Sequence, residues 1–435
     1  LEEEEGRRNG VIAPLLISFV LFLLLAAPVS IAMGLAAVIA IGWQGKVPLN
    51  TVVTQMVSGM DSFPLMAIPF FILAGELMER AGISERLVTL AKALVGHIRG
   101  GLGMVVILAE YLFSGISGST AADVSAIGSL LIAPMERAGY SKGESVAIVS
   151  AATAMGILVP PCIFMIVLAS MTNQSIGAMF VAGFLPAVVI ALGLIGLVYW
   201  KARRLNIPRK PRASLRRLLK AAGDGIIAMI MPGIIFGSIF GGITTVTEAA
   251  VIAVLYSAFV GLVVYRRFSL AKLPEILLAS TINSAMVMLL VGTATAFSWI
   301  LTVERVPQAI AQIVKGVSSA PWLFLAISNI IFILFGAILE GLPAMIVFVP
   351  VMYPIAMQFG IDPLHYGILI IASIGIGVFL PPIGIGLFIA CGIARLNIVE
   401  SAKYMAPYVI TLVLGLLVVT YAPWFTLILP HLFLK

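Results

Sequence analysis

Charge is scarce in this chain of 435 residues: Asp, Glu, Lys and Arg make up 10% of it, while 61% is apolar. Soluble chains are about 45–50% apolar and about 25% charged, so a water-soluble globular fold is excluded. Apolar runs long enough to cross a bilayer recur throughout, which predicts an all-α polytopic membrane protein. Cysteine is nearly absent. Cys162 and Cys391 lie 229 residues apart in apolar segments without CxxC spacing, which excludes a disulfide framework or thiolate metal site and leaves two small packing residues. The histidines, His97, His365 and His431, are scattered singly, so no His-rich metal centre and no organic cofactor is expected. A net charge of +7 would suggest nucleic acid in a soluble domain. Here the basic residues sit between apolar segments, where they set orientation in the membrane, and no nucleic-acid partner is expected.

What the chain does contain is one pattern twice. The first copy runs from SGISGSTAAD (Ser114 to Asp123) to GILVPPC (Gly156 to Cys162), and the second from GAILEGLPA (Gly336 to Ala344) to GVFLPPI (Gly377 to Ile383). An offset of 221 residues separates Pro160 from Pro381, Gly115 from Gly336, Gly139 from Gly360, Gly156 from Gly377 and Pro186 from Pro407. This is an internal duplication. In each copy a Gly-rich break precedes a long apolar segment that Gly and Pro break again. Within lipid, a broken helix survives only where protein or a water-filled cavity satisfies the bared backbone, so paired breaks in two halves predict a transporter's binding site.

In chain order, Val11 to Trp43 is divided by Pro28-Val29-Ser30 into two short spans, and Ser62 to Arg80 is a third. Ile83, Leu87, Leu90, Leu94 and Ile98 form an apolar helical stripe, with Glu85, Arg86 and Lys92 elsewhere around it; this reads as an amphipathic helix in the membrane interface. Residues 101–137 form the first re-entrant hairpin, followed by spans about 144–170 and 176–200. Lys201 to Lys220 carries nine Lys or Arg and no acid, so it is placed in the cytoplasm. Spans follow at 225–243, 247–265 and 275–303, then a second amphipathic segment on Val306, Ile310, Ile313 and Val317. A second hairpin, 321–359, breaks at Leu339-Glu340-Gly341-Leu342-Pro343, and spans 365–394 and 404–429 close the chain. This gives a first repeat over 11–200, a basic linker over 201–224 and a second repeat over 225–430.

Charge tests the topology. Arg80 to Arg99, Arg137 with Lys142, the central linker, Arg266 to Lys272, and Arg395 with Lys403 all fall on the cytoplasmic side only if both hairpins are re-entrant. Each half then crosses an odd number of times and the repeats are inverted, with about ten crossings in all and both termini outside. Arg7 and Arg8 pull the other way. The chain begins LEEEE without Met, which fits a processed or tagged chain or the second half of a longer polypeptide.

Asp123 stands in an otherwise apolar hairpin, where an uncompensated charge costs about 2.5–3.5 kcal/mol, so it needs a partner or a wet site. With Ser114, Ser117, Ser119 and Thr120 it gives the first tip a dense set of oxygens. Glu340 is the acid of the second tip, and its repeat mate is Ser119. Sodium takes several oxygens, and main-chain carbonyls freed at Gly and Pro breaks are a natural source. The expected set is Ser114, Gly115, Ser119, Thr153, Gly156 and Pro160 in the first half, with Gly336, Glu340, Gly377 and Pro381 in the second. Arg305, beside Glu304, is either a solvated helix start or a partner for a substrate carboxylate. Thr245-x-x-Glu248 reads as a capping box, and Glu76 and Glu110 have no assigned role. Gly115-Ile116-Ser117-Gly118 matches the GxSG of rhomboid-type intramembrane proteases, but such an enzyme needs a histidine base on a neighbouring helix, and no protease requires a mirrored second hairpin. A pore is disfavoured because two closed tips suit alternating access.

With these residues in view, the chain resembles the large membrane subunit of tripartite ATP-independent periplasmic (TRAP) transporters, the DctM-like or SiaM-like family. The likeness covers residues 11–430. It rests on DSFPLMAIPFFILAGELM (Asp61 to Met78), SGSTAAD (Ser117 to Asp123), ILVPP, the TEAA of GGITTVTEAA (Gly241 to Ala250), LTVERVP (Leu301 to Pro307) and LPPIGIGLF (Leu380 to Phe388). The chain departs from the family pattern at Val246, Leu380 and Glu340. The resemblance implies an importer of organic acids (C4-dicarboxylates, sialic acid or related carboxylates), driven by about two or more sodium ions and working as an elevator. The hairpins and broken spans would move against a scaffold packed on a small four-helix membrane subunit, which in some chains would be fused upstream. A periplasmic binding protein would deliver substrate at the bacterial inner membrane. Ser117, Ser119, Asp123 and Glu340 are the implied substrate and ion residues, with Arg305 a further candidate. A binding-protein-independent sodium:anion symporter is the alternative.

Overall fold

The computed structural model describes residues 2–117, 120–209, 211–317 and 320–433, and the described residues form helices joined by short turns, with no strand among them. The first group is α1 (Glu2–Leu24), α2 (Val29–Gln44), α3 (Asn50–Met60), α4 (Ala67–Arg80) and α5 (Ile83–Val95). The first hairpin is α6 (Gly101–Ser117) and α7 (Thr120–Arg137); the first broken span is α8 (Lys142–Gly156) and α9 (Ile163–Thr172). Next come α10 (Ile176–Arg204), α11 (Leu215–Phe240), α12 (Val246–Phe259), α13 (Leu273–Val303) and α14 (Val306–Val317). The second hairpin is α15 (Pro321–Ile338) and α16 (Gly341–Gln358), the second broken span α17 (Pro363–Val378) and α18 (Ile385–Ala394), and α19 (Ile398–Tyr421) and α20 (Trp424–Phe433) end the chain.

The duplicated residues build duplicated joints. Gly139 and Gly360, repeat mates, turn the chain out of each hairpin at φ 99° and 71°, values that a residue without Cβ adopts at no steric cost. Two residues later their neighbours Ser141 and Asp362, also mates, cap the next helix: Ser141 Oγ accepts from Glu144 N–H at 3.1 Å, and Asp362 Oδ1 from Leu364 and His365 N–H at 2.9 and 3.0 Å. Each such cap satisfies amide donors that the helix itself leaves bare. The mouths of the hairpins are closed differently. Tyr140 donates to the Gly100 carbonyl at 3.0 Å in the first, whereas Phe324 stacks on Phe359 at 5.2 Å in the second.

The two hairpin units interlock. Hairpin α6–α7 packs on α8, and hairpin α15–α16 on α17; α18, beyond the second break, packs on α7, and α9, beyond the first, packs on α16, while α8 touches α17. Each broken span therefore completes the other half's hairpin. Around this pair, α13 runs across α2, α3, α4 and α16, and α10 packs on α19, α20 and α6.

Three segments differ from the sequence reading. The segment read as a span from Ser62 to Arg80 is preceded by a further helix, α3, which meets Phe63–Arg80 at 69°. Asn50, Thr51 and Gln55 interrupt the apolar pattern of that helix. The last span breaks at Ala422-Pro423 into α19 and α20, because Pro423 has no N–H to continue the ladder. Helix α5 buries Ile83 and Leu87 of its stripe, with Val88 and Ala91 beside them, against α6 and α11, while Leu94 stays exposed. Among the described residues seven helices are singly long and apolar enough to cross a membrane, α15 and α16 included. The halves of the broken spans are individually too short, so helix length alone yields fewer than the ten crossings expected.

Candidate functional site

The two hairpins share a cavity. Thr120 and Ala121 of the first and Glu340, Gly341, Leu342 and Pro343 of the second line one cavity of about 580 Å³. Ile163 and Phe164 after the first Pro-Pro pair, Val378 and Ile385 around the second, Pro28 to Ile31, and Met286, Val287, Leu289 and Leu290 of α13 complete the wall. Such a volume holds a small organic molecule, and the one carboxylate among these lining residues is that of Glu340.

Glu340 is held in an unusual backbone conformation. At φ 68° and ψ 173° it occupies a region that is essentially glycine's and costs a side-chain-bearing residue about 1–3 kcal/mol. The strain turns the chain from α15 into α16 and leaves the exposed carboxylate at the cavity rim. The sequence marks Glu340 as the acid of this tip, but nothing in it marks the backbone conformation.

In the first hairpin Asp123 is 1% exposed, and Ser114 Oγ donates to its Oδ2 at 2.7 Å. Thr153, one turn before the break in α8, is fully buried and donates to Glu110 Oε1 at 2.6 Å or to the Val149 carbonyl at 3.0 Å. Ser114 also faces Gly156, where a Cβ would lie 2.7 Å from its Oγ. The second half repeats this closeness backbone to backbone: a Cβ on Gly377 would lie 2.3 Å from the Ile333 carbonyl oxygen, and one on Gly336 would lie 3.2 Å from that of Ile374. Glycine at these crossings lets hairpin and broken span touch main chain to main chain.

The breaks expose oxygen as their Gly and Pro content implied, though not from every expected residue. Both Pro-Pro bonds are cis. The Gly156 and Gly377 carbonyls are each taken by an amide three residues on, from Val159 at 2.8 Å and Leu380 at 2.9 Å, leaving one lone pair apiece. The carbonyls of Leu158, Val159, Val378 and Phe379 receive no backbone N–H among the described residues. Pro160 is buried and Pro381 partly so.

Thus Ser114, Asp123, Thr153 and Gly156 come together where the first hairpin meets α8, and Gly336 with Gly377 where the second meets α17, with Glu340 at the shared cavity. Gly115 lies in the last turn of α6. Ser119 lies outside the described residues, as does the side chain of Ser117. Arg305, exposed at φ 56° between α13 and α14, does not line the tip cavity. Cys162 and Cys391 are buried and free, and Thr245 with Glu248 forms the capping box.

The residue passed over by sequence reasoning is Glu110. It is fully buried in α6 against Thr153, and its only signal was a carboxylate inside an apolar run, one turn before Ser114.

A polytopic helical bundle whose two hairpins line a common cavity is the architecture of a membrane transporter permease. The family model described as "Tripartite ATP-independent periplasmic transporter, DctM component" matches residues 16–425, and the chain belongs to that family. It is 37% identical over 400 residues to the C4-dicarboxylate TRAP transporter large permease protein DctM of Pseudomonas aeruginosa, covering 92% of this chain and 94% of that one. It is likewise 37% identical over 386 residues to the sialic acid TRAP transporter large permease protein SiaM of Vibrio cholerae, covering 89% and 90%. The isethionate TRAP transporter permease protein DctMQ of Oleidesulfovibrio alaskensis is 36% identical over 93% of this chain and 64% of its own length. Among solved structures, the YdaH transporter of Alcanivorax borkumensis shares the fold, with a TM-score of 0.62 at 19% identity over 87% of this chain and 89% of that one. The family is one of transporter permeases, so the GxSG at Gly115 to Gly118 does not mark a protease.

Proposed function

We propose that this chain is the permease of a sodium-coupled importer of a small organic acid in the bacterial inner membrane. The observation that carries the reading is the single cavity shared by the two hairpin tips. A substrate held there touches both halves at once, so movement of the hairpins and broken spans against α13 and its neighbours would carry it from one face to the other. The 221-residue correspondence of the joints and the distribution of basic residues support halves inverted in the membrane, over 11–200 and 225–430.

Sodium would be held where hairpin meets break. In the first half the candidates are Ser114, Gly115, Ser119, Thr153, Gly156 and Pro160, with Ser117 and Asp123 near the substrate; in the second they are Gly336, Glu340, Gly377 and Pro381. The donor set fits a hard monovalent cation: hydroxyls, carboxylates and bared carbonyls, without thiolate or imidazole. Each net positive charge carried inward would add about 2.3 kcal/mol per 100 mV of membrane potential. The substrates that the relatives are named for, C4-dicarboxylate, sialic acid, 2,3-diketo-L-gulonate and isethionate, have in common a small acid. The DctMQ relative supports a small membrane subunit as partner, fused or separate, and a periplasmic binding protein would deliver substrate. Arg305, away from the cavity, is better suited to meeting such a partner than to gripping substrate.

The test is uptake in proteoliposomes containing this chain and its small subunit, with binding protein added outside and labelled C4-dicarboxylate and sialic acid offered separately. A sodium gradient should drive uptake of one of them, choline in place of sodium should stop it, and Asp123→Ala or Ser119→Ala should abolish it while co-purification with the small subunit persists. Wild-type rates in both variants would show the site misplaced. Full uptake without binding protein would favour a self-sufficient sodium:anion symporter.

A further inference from the structure

Glu110 is fully buried in α6, and its two carboxylate oxygens are treated unequally. Oε1 has the Thr153 hydroxyl at 2.6 Å, while Oε2 is buried with no hydrogen-bond partner among the described residues. Thr153 has one hydroxyl proton and a second acceptor, the Val149 carbonyl at 3.0 Å, so Glu110 is left with one shared donor at most. No Lys, Arg or His among the described residues pairs with it. Asp123, the acidic group that acts on it from α7, is of like charge.

The bare oxygen faces the start of the break in α8. A Cβ on Gly156 would stand 3.7 Å from Glu110 Oε2 and 2.7 Å from Ser114 Oγ, so carboxylate and hydroxyl converge on the same glycine, with Thr153 a turn away. A carboxyl group removed from water without its complement of donors is held either as the neutral acid or as an anion beside a cation. The duplication sharpens the point: the repeat mates of Glu110, Asp123 and Ser114 are Ile331, Ala344 and Phe335, so the second half has nothing comparable at these positions.

We propose that Glu110 is an anionic ligand to a monovalent cation held between α6 and the end of α8, with Thr153 and Ser114 as its hydroxyl neighbours. This rests on the sodium-coupled reading above and adds to it. The two halves are then unequal cation sites: the first carries fixed negative charge in its wall and binds the more tightly, and the second relies on carbonyls and the rim carboxylate of Glu340.

The experiment is thermal unfolding of the purified protein in detergent, titrated with NaCl against choline chloride at constant ionic strength. Wild type should be stabilised to saturation. Glu110→Gln, the neutral isostere, should need at least about tenfold more sodium for half the effect, a loss of about 1.4 kcal/mol in binding. Glu110→Asp should fall between the two, and Thr153→Val should shift in the same direction. A purely structural role would move the sodium-free melting point and leave the half-saturating concentration alone. An unshifted half-saturation in Glu110→Gln overturns the proposal; should that variant fail to fold, an unshifted Thr153→Val does so. Sodium-driven uptake in wild type alongside an unshifted variant sinks this inference alone, whereas absence of any sodium effect on uptake or melting sinks the sodium reading itself.

Discussion

Replacing Gly377 with alanine tests the crossing on which the second hairpin rests. The added methyl would lie 2.3 Å from the Ile333 carbonyl oxygen and 3.0 Å from both the Ala337 amide nitrogen and the Gly336 carbonyl carbon. Carbon and oxygen normally approach to about 3.4 Å, so α15 and α17 must part by about 1 Å. All three neighbours are backbone, so no rotamer change relieves the clash, and the cost belongs at the upper end of overpacking penalties, about 3 kcal/mol. Gly196 is the internal control: it lies inside α10 with nothing within 4 Å of its Cβ position, so alanine there should gain about 0.5–1 kcal/mol. Unfolding of both variants in mixed micelles with a rising fraction of denaturing detergent should therefore separate them by about 3–4 kcal/mol. Uptake should fail in Gly377→Ala, since parting the helices displaces the Glu340 tip, and stay intact in Gly196→Ala. A difference under about 1 kcal/mol would show that the helices cross more loosely than these distances state, and would refute the reasoning.

Two further substitutions probe charge and strain. Lys201 Nζ lies 2.8 Å from Glu144 Oε2, with the Tyr408 hydroxyl on the other oxygen, and the two side chains are 19% and 6% exposed. Lys201→Met should destabilise by about 2–3 kcal/mol, somewhat below the figure for a fully buried pair, and adding Glu144→Gln should recover much of it; no recovery in a double-mutant unfolding series would mean that the charges are not coupled. Glu340→Gly should release the backbone strain and, after glycine's own entropic cost, leave the protein up to about 2 kcal/mol more stable, whereas Glu340→Gln should not. Equal unfolding free energies for the two would remove the strain argument.

Much of this molecule was legible in its residues. Apolar content and the scarcity of charge made it a helical membrane protein, because a bilayer admits few other backbones. The 221-residue offset located both hairpins and both broken spans, since Gly, Pro and capping residues act on the chain beside them: Gly139 with Ser141 and Gly360 with Asp362 build the same turn wherever they stand. Local chemistry of that kind survives without tertiary context.

What needed the folded chain was every relation between the halves. That α9 packs on the second hairpin and α18 on the first, that Thr120 and Glu340 border one cavity, and that Glu110 faces Thr153 across two helices depend on contacts between residues up to hundreds apart. Periodicity says which face of a helix is apolar and is silent on which neighbour covers it, so a buried acid such as Glu110 looks like an isolated blemish until a second helix arrives beside it. The same limit explains Glu340: a φ of 68° is imposed by the two helices it joins, and nothing in the side chain itself asks for it.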